Sequence, residues 1–505
     1  VCSQKISQQQ SNYQFGSKNG ETGLTSVKLG RAEAELVQGM RDRKLRGAAC
    51  HFFFSFVLSA VFLVLISIAG EVKVFAEEWE ESWLDLPFEV TGSYRANYFG
   101  RWNSEDGDDQ QLFQYLTLHM NDIIPDKVSV HFLGRLSAEL NGHEDGDDFF
   151  FDIYDTFDSS LNGRIYYLYA DIKDPVFEQS NLRLGRMYSY EGETIFFTGA
   201  KYEQTIDRLR YYVQGGIWAS NYESTDENDT IGGFGLDYQL LRNTMVGYDF
   251  LRVVDGELDD TYHDFNITQR FGNLKAYAQM SLLDNEPDDL NLFGTYYYSP
   301  IDLNLTAHYY TLLTARGRLT NQFSPLMALN DFDTENDDTV GTLFPFNLVN
   351  LSLYKGWGDR FATTAGFETR WMSDEDEQNA FNREYDRYFA AFEVWDFMVK
   401  GLTTSLLVEY WDVNGGEDSI SAGIDFEKLI SERLEVDGGF YYSRYRIRST
   451  FAGENFSDEI ETPELYGAVR YQLKENVELL ARYEVENEED LGTTHRVRLG
   501  VEIDF

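Results

Sequence analysis

Two sets of side chains in this chain of 505 residues are spaced to do electrostatic work. Arg95, Arg135, Arg470, Arg482, Arg496 and Arg498 each hold the polar position of a segment that alternates apolar and polar residues. Segment 141–160 gathers Glu144, Asp145, Asp147, Asp148, Asp152, Asp155 and Asp158 beside Phe149, Phe150, Phe151, Ile153, Tyr154 and Phe157. Apolar groups in such number need burial, so this segment is expected to fold inward as a constriction loop. Fixed cations facing fixed anions across water set up a transverse field. Such a field sorts and orients small polar solutes without breaking a bond.

Other chemistry finds weaker footing. Glu-Asp-Gly-Asp-Asp occurs at 105–109 and again at 144–148, and Asp331, Asp333, Glu335 and Asp337 place oxygens at alternate positions. Oxygen-rich clusters can hold calcium, but neither pattern has the glycine at six and glutamate at twelve of the twelve-residue calcium loop. The expectation is no resident metal or cofactor, with Ca²⁺ or Mg²⁺ held loosely at most. Histidines 119, 131, 143, 263, 308 and 495 are scattered, without the sequence spacing of a metal site or a catalytic triad. There is no CxxCH and no glycine-rich phosphate loop. An enzyme is therefore not expected.

The charge narrows the partners. A formal net charge of −44 excludes nucleic acid, whose binding depends on basic contacts to phosphate. The only cysteines, Cys2 and Cys50, precede the apolar run 52–69. That run follows the basic stretch Met40–Arg46, and Val74-Phe75-Ala76 supplies small residues where a signal peptidase reads. Residues 40–76 are expected to be a cleaved signal peptide, with 1–39 an over-extended gene start and 77–86 a short N-terminal segment. Ten residues leave no room for a plug domain before the first strand at Pro87. The alternative, a membrane anchor at 52–69, conflicts with a C-terminus that requires export of a free chain.

The elements that must position the arginines are strands. From residue 87 to 505, segments of 9–15 residues are joined alternately by tight turns and by acidic stretches. Short connections fall at Pro125-Asp126, Asp174-Pro175, Asp207, Arg242-Asn243, Gly272-Asn273, Ser299-Pro300, Gly356-Trp357-Gly358, Lys400-Gly401, Ser431-Glu432 and Glu475-Asn476. Longer ones fall at 103–110, 141–160, 189–198, 221–229, 254–261, 284–288, 315–340, 373–382, 414–417, 449–461 and 487–491. This short-side, long-side asymmetry predicts an all-β fold: a single transmembrane antiparallel up-and-down barrel of about 22 strands, within a range of 18 to 22, and no plug. In 128–140, Val128, Val130, Phe132, Leu136 and Ala138 point to lipid, and His131, Arg135, Ser137 and Glu139 to water. Two segments break the pattern. Arg444, Arg446 and Arg448 share a phase with Leu434 and Val436, so that strand bulges or projects above the membrane. In 181–190, Arg183 and Arg186 fall on opposite faces.

Val497, Leu499, Val501, Ile503 and the terminal Phe505 alternate without a miss and resemble the sorting signal of the bacterial barrel-assembly machinery. Leu182-Arg-Leu-Gly-Arg186 followed by Phe197-Thr-Gly-Ala200 resembles the LRLGR…DGA segment of several porin families, departing at Thr198. The arginine wall and acidic loop resemble the ladder and inward loop of general porins. These resemblances imply an exported protein of the bacterial outer membrane, in contact with lipid and lipopolysaccharide. They imply a channel for passive diffusion of small polar solutes or ions, and the exposed acidic loops add the expectation of weak cation selectivity. An unplugged barrel this wide also resembles the sheath of porin–cytochrome electron conduits, which would make a multihaem cytochrome its partner. The solute and the homo-oligomeric state stay open.

Overall fold

The computed structural model describes residues 88–505, apart from 105–106, 142–149, 151–159, 192–193, 220–228, 256–257, 316–342, 375–381, 397–398, 415–416, 452–453 and 489–491. The expected leader and extension lie outside the described residues, as do all seven carboxylates of the expected constriction loop and the four calcium candidates at 331–337.

Twenty-two antiparallel strands form one sheet, each paired with its neighbour in sequence, from β1 (Glu89–Asn103) to β22 (Gly492–Asp504). β22 pairs back onto β1 from Ser93↔Asp504 to Asn103↔Thr494, so the cylinder is closed. Gly92 and Phe505 exchange both backbone hydrogen bonds, at 2.8 and 3.0 Å, carrying the ladder to the last residue. Closure is what lipid demands, because an unpaired strand edge has no water to bond.

The ten tight turns fall where the sequence places them. Asp recurs there because its short side chain tolerates the left-handed region by bonding nearby backbone. Asp126, Asp174, Asp207, Asp302 and Asp396 all have φ between 49° and 58°. The Asp174 carboxylate accepts the Ser180 N–H at 3.3 Å, and Asp396 accepts that of Gly401.

The opposite side differs in part. β9 (Thr244–Asp255) and β10 (Leu258–Phe271) run through most of 254–261, and β11 (Leu274–Leu283) meets β12 (Glu286–Tyr298) over the tight pair Asp284-Asn285. β19 (Leu434–Phe451) and β20 (Glu454–Lys474) pair in unbroken register through 449–451 and 454–461. These acidic stretches are strand, because a ladder that rises out of the bilayer can carry charge on both faces. Arg444 and Arg446 pair with Glu459 and Asp418. The register with β20 is continuous there, so the strand does not bulge. The side chain of Arg448 lies outside the described set.

Faces follow the ladder. Leu136, Ile165, Leu168, Leu184, Val213 and Ile217 are exposed on the outer surface, as lipid-facing residues must be. Phe132 and Ala138 share the phase of Leu136 in β3 (Val128–Glu139). No helix among the described residues is long and apolar enough to cross a membrane, and a barrel needs none.

Candidate functional site

The wall around the seam is built from β20, β21 (Val477–Glu488), β22, β1, β2 (Asp108–Ile124) and β3. Period-2 alternation sends Arg470, Arg482, Arg496, Arg498, Arg95 and Arg135 inward, and barrel closure brings these strands side by side. Arg482 stands directly opposite Arg498, and Arg496 opposite Arg101, which sequence reasoning omitted. Most of this charge is met locally. Arg95 pairs with Glu502 at 2.6 Å, and Arg496 with Glu484 and Glu486 at 2.8 and 2.5 Å. Arg470 pairs with Glu435 at 2.5 Å, Arg482 with Glu484 at 3.0 Å, and Arg101 with Asp109. Arg498 lies over the Phe99 ring at 5.1 Å and reaches Asn97 at 3.5 Å. Arg135 sits over the Phe113 and Tyr166 rings, each at 5.6 Å. The wall is thus an alternating lattice of guanidinium, carboxylate and aromatic groups, polar but nearly balanced.

A second feature was not legible from alternation. β5 (Ser180–Ser189) leaves β4 (Leu161–Lys173) after Arg186, although β4 continues outward to Leu161. Inward positions Gly185, Gly199 and Gly216 form a row across β5, β6 (Ile195–Ile206) and β7 (Leu209–Trp218). A Cβ on Gly199 would sit 2.6 Å from the Gly216 Cα and overlap the Gly215 carbonyl oxygen. A Cβ on Gly185 would sit 2.8 Å from the Tyr169 Cα, and φ there is +133°. Backbones this close on the inner side mark a crease, and only glycine allows it. Above the crease the hairpin turns into the lumen. Met187, Ile195 and Phe197 become fully buried there, in one cluster with Ile231, Leu251, Val253 and Tyr262 from β8 (Thr230–Leu241), β9 and β10. An unfolded wall would hold these residues strands apart.

The ambiguity of 181–190 has its cause here. Arg183 faces inward and bonds Asp171 through two nitrogens, at 2.9 and 3.2 Å, whereas Arg186, past the crease, lies over the Phe196 ring at 4.5 Å.

The hairpin tip is anchored by charge. Glu191 accepts from Lys201 at 2.5 Å, Arg210 at 3.0 Å and Ser189 at 2.6 Å. Arg210 also binds Glu203 at 2.7 Å and Asp237 at 2.9 Å. Burial alone would raise the Glu191 pKa. The Lys201 and Ser189 hydrogen bonds, the Lys201 charge and the Arg210 bond outweigh it and hold the carboxyl at about 2. The sequence did carry a trace of this device. Gly185 and Gly199 are the glycines of the LRLGR and FTGA segments.

No group of three or more His, Cys, Asp or Glu able to hold a metal ion occurs among the described residues. What the described residues offer is electrostatic: an arginine-rich wall at the seam, and a creased hairpin packed on β8–β10 at another side. A closed antiparallel barrel, apolar outside and polar within, is the architecture of transmembrane β-barrels.

No known protein family matches the sequence, and no curated protein does either. Among solved structures, the chain is similar to the outer membrane protein OpdK of Pseudomonas aeruginosa, at 13% identity over 82% of this chain and 98% of that one, TM-score 0.40. It is also similar to the P pilus usher (PapC) translocation pore, at 11% identity over 83% and 99%, TM-score 0.48. A BenF-like porin from Pseudomonas fluorescens Pf-5 gives 11% over 83% and 98%, TM-score 0.42. Superpositions this loose add nothing to the assignment, which rests on the strand pairing itself.

Proposed function

We propose that the barrel is a passive channel for small polar solutes or ions, weakly selective for cations, with no bond chemistry of its own. The observation that carries this reading is the creased β5–β6 hairpin. It packs an apolar face against β8–β10 and leaves charged groups at the passage, so the lumen is narrowed by the protein's own wall. Cation preference follows from the balance of charge. The seam arginines are matched by carboxylates, and the chain as a whole carries a large acidic excess. A cytochrome sheath fits less well, because a folded partner would have to share the lumen with that hairpin.

The test is single-channel recording of the purified barrel in planar bilayers, with a KCl gradient across the membrane. Stable conductance with a reversal potential favouring K⁺ is expected. A well-folded barrel that stays silent would overturn the channel, and a reversal potential favouring Cl⁻ would overturn the selectivity.

A further inference from the structure

One constellation in the lumen is used by neither the wall nor the hairpin. His119 in β2 and His131 in β3 are direct partners in the antiparallel register and share the inward phase of Tyr115 and Arg135. Their Nδ1 atoms are 2.8 Å apart. Behind them, Asp171 in β4 lies 3.6 Å from His131 Nε2. We propose that His119 and His131 form a cis-bidentate site for a divalent copper ion inside the lumen, near the tight-turn end of the barrel, with Asp171 as positioning residue.

Asp171 is an acceptor, already bonded by Arg183 and by Asn181 at 3.1 Å. The His131 nitrogen facing it stands 3.6 Å away, just beyond hydrogen-bond reach. A proton on that nitrogen leaves the lone pair on Nδ1 facing His119, and closing the gap gives the outer carboxylate–histidine arrangement that fixes ring orientation at metal sites. Two ring nitrogens so close share a single proton. Moving that proton to His119 Nε2, a neutral tautomer shift, frees a lone pair on each facing Nδ1, and a modest turn of the two rings brings both onto one ion.

The spacing then selects the metal. With metal–nitrogen bonds of about 2.1 Å, nitrogens 2.8 Å apart subtend about 84°. A right angle needs them about 3.0 Å apart, whereas a tetrahedral ion needs about 3.4 Å. The first requires an opening of a few tenths of an ångström, the second roughly three times as much. Right-angled N,O coordination belongs to Cu²⁺ and Ni²⁺, and Cu²⁺ stands highest in divalent affinity. Lumen water completes the shell. Arg183 is the nearest fixed cation, and its bidentate bond to Asp171 offsets its charge.

The test is electron paramagnetic resonance of the intact, detergent-solubilised barrel titrated with Cu²⁺, with folding checked by heat-modifiable gel migration. The expected spectrum is tetragonal with hyperfine structure from two imidazole nitrogens. His119→Ala should remove that signature, His495→Ala should leave it unchanged, and Asp171→Asn should weaken binding several-fold while keeping both nitrogens. Zn²⁺ should compete poorly. An all-oxygen spectrum, as acidic loops alone would give, overturns the proposal. So does a two-nitrogen signal that survives His119→Ala. If His119→Ala fails to fold, His119→Gln, which keeps a polar side chain, carries the same test.

Discussion

Replacing Glu191 with glutamine should release the hairpin from its seat in the lumen. The carboxylate holds Lys201 and Arg210 at 2.5 and 3.0 Å, and the amide keeps the shape but not the charge. Its pKa falls from 4.5 to about 2, and at about 1.4 kcal/mol per unit this corresponds to a ceiling near 3 kcal/mol. Solvent reaches part of the group, so screening reduces the usable figure to about 1–2 kcal/mol. That still shifts the docked-to-undocked ratio of the hairpin by about tenfold. The sign is that of a depressed acid. The stabilisation is complete above the ordinary carboxyl pKa and is lost as pH falls from about 4.5 towards 2. Single-channel recording should show wild-type conductance steady from neutrality to mild acid, with larger, flickering openings as pH falls further. Glu191→Gln should flicker at neutral pH and lack that acid transition. Acidic loops titrate in the same range, so the difference between the two proteins is the quantity that reports on Glu191. A variant trace that superposes on wild type at neutral pH would refute the anchor, as would wild-type opening already near pH 6.

Two further changes probe what holds the barrel in this form. Gly199→Ala places a Cβ 2.6 Å from the Gly216 Cα, where backbone must move, and should cost about 1–3 kcal/mol in urea unfolding. Gly232→Ala meets nothing within 4 Å and should leave the midpoint unchanged; equal effects would remove the crease as a constraint. Arg387, in β16 (Tyr385–Trp395), bonds the buried Glu409 of β17 (Leu402–Val413) at 2.9 and 3.2 Å. Arg387→Met removes the counter-charge of that carboxylate, leaving it the Trp411 indole N–H, and should cost about 3–5 kcal/mol, whereas adding Glu409→Leu should recover most of the loss. A double variant no more stable than the single would show that the pair is not the source.

Strand number, turn positions and lining faces were legible because each depends on nearest neighbours in sequence. Alternation tells Arg135 from Leu136, and Asp with Gly or Pro marks a reversal whatever lies across the lumen. Outer connections were read too long at 254–261, 284–288 and 449–461, since acidity was taken for loop where it marks strand standing in water. The crease was illegible for a deeper reason. Nothing in the local pattern of Met187 or Phe197 distinguishes a side chain facing water from one that meets Ile231 and Val253 after the wall bends. The histidine pair lay between these cases. His119 and His131 stand six residues either side of Pro125, and that symmetry about a tight turn is what makes them cross-strand partners.

Barrel diameter grows with strand number, and 22-stranded transporters fill theirs with a plug. On the proposed channel reading, the creased hairpin answers part of that demand from the wall itself. Three inward glycines in register cost the sheet three side chains of packing at one height, and in return the hairpin above them can turn inward. What it brings in is apolar on the side that packs against β8–β10 and charged at the tip, where Glu191 meets Lys201 and Arg210. The apolar face supplies the burial, and the ion pairs set where the tip comes to rest. A constriction made from wall in this way cannot leave the barrel, so its width is set by the strength of those few contacts. Selectivity and stability should therefore move together in variants of the hairpin, and separately in variants of the arginine wall, whose ladder stays paired whatever its charge.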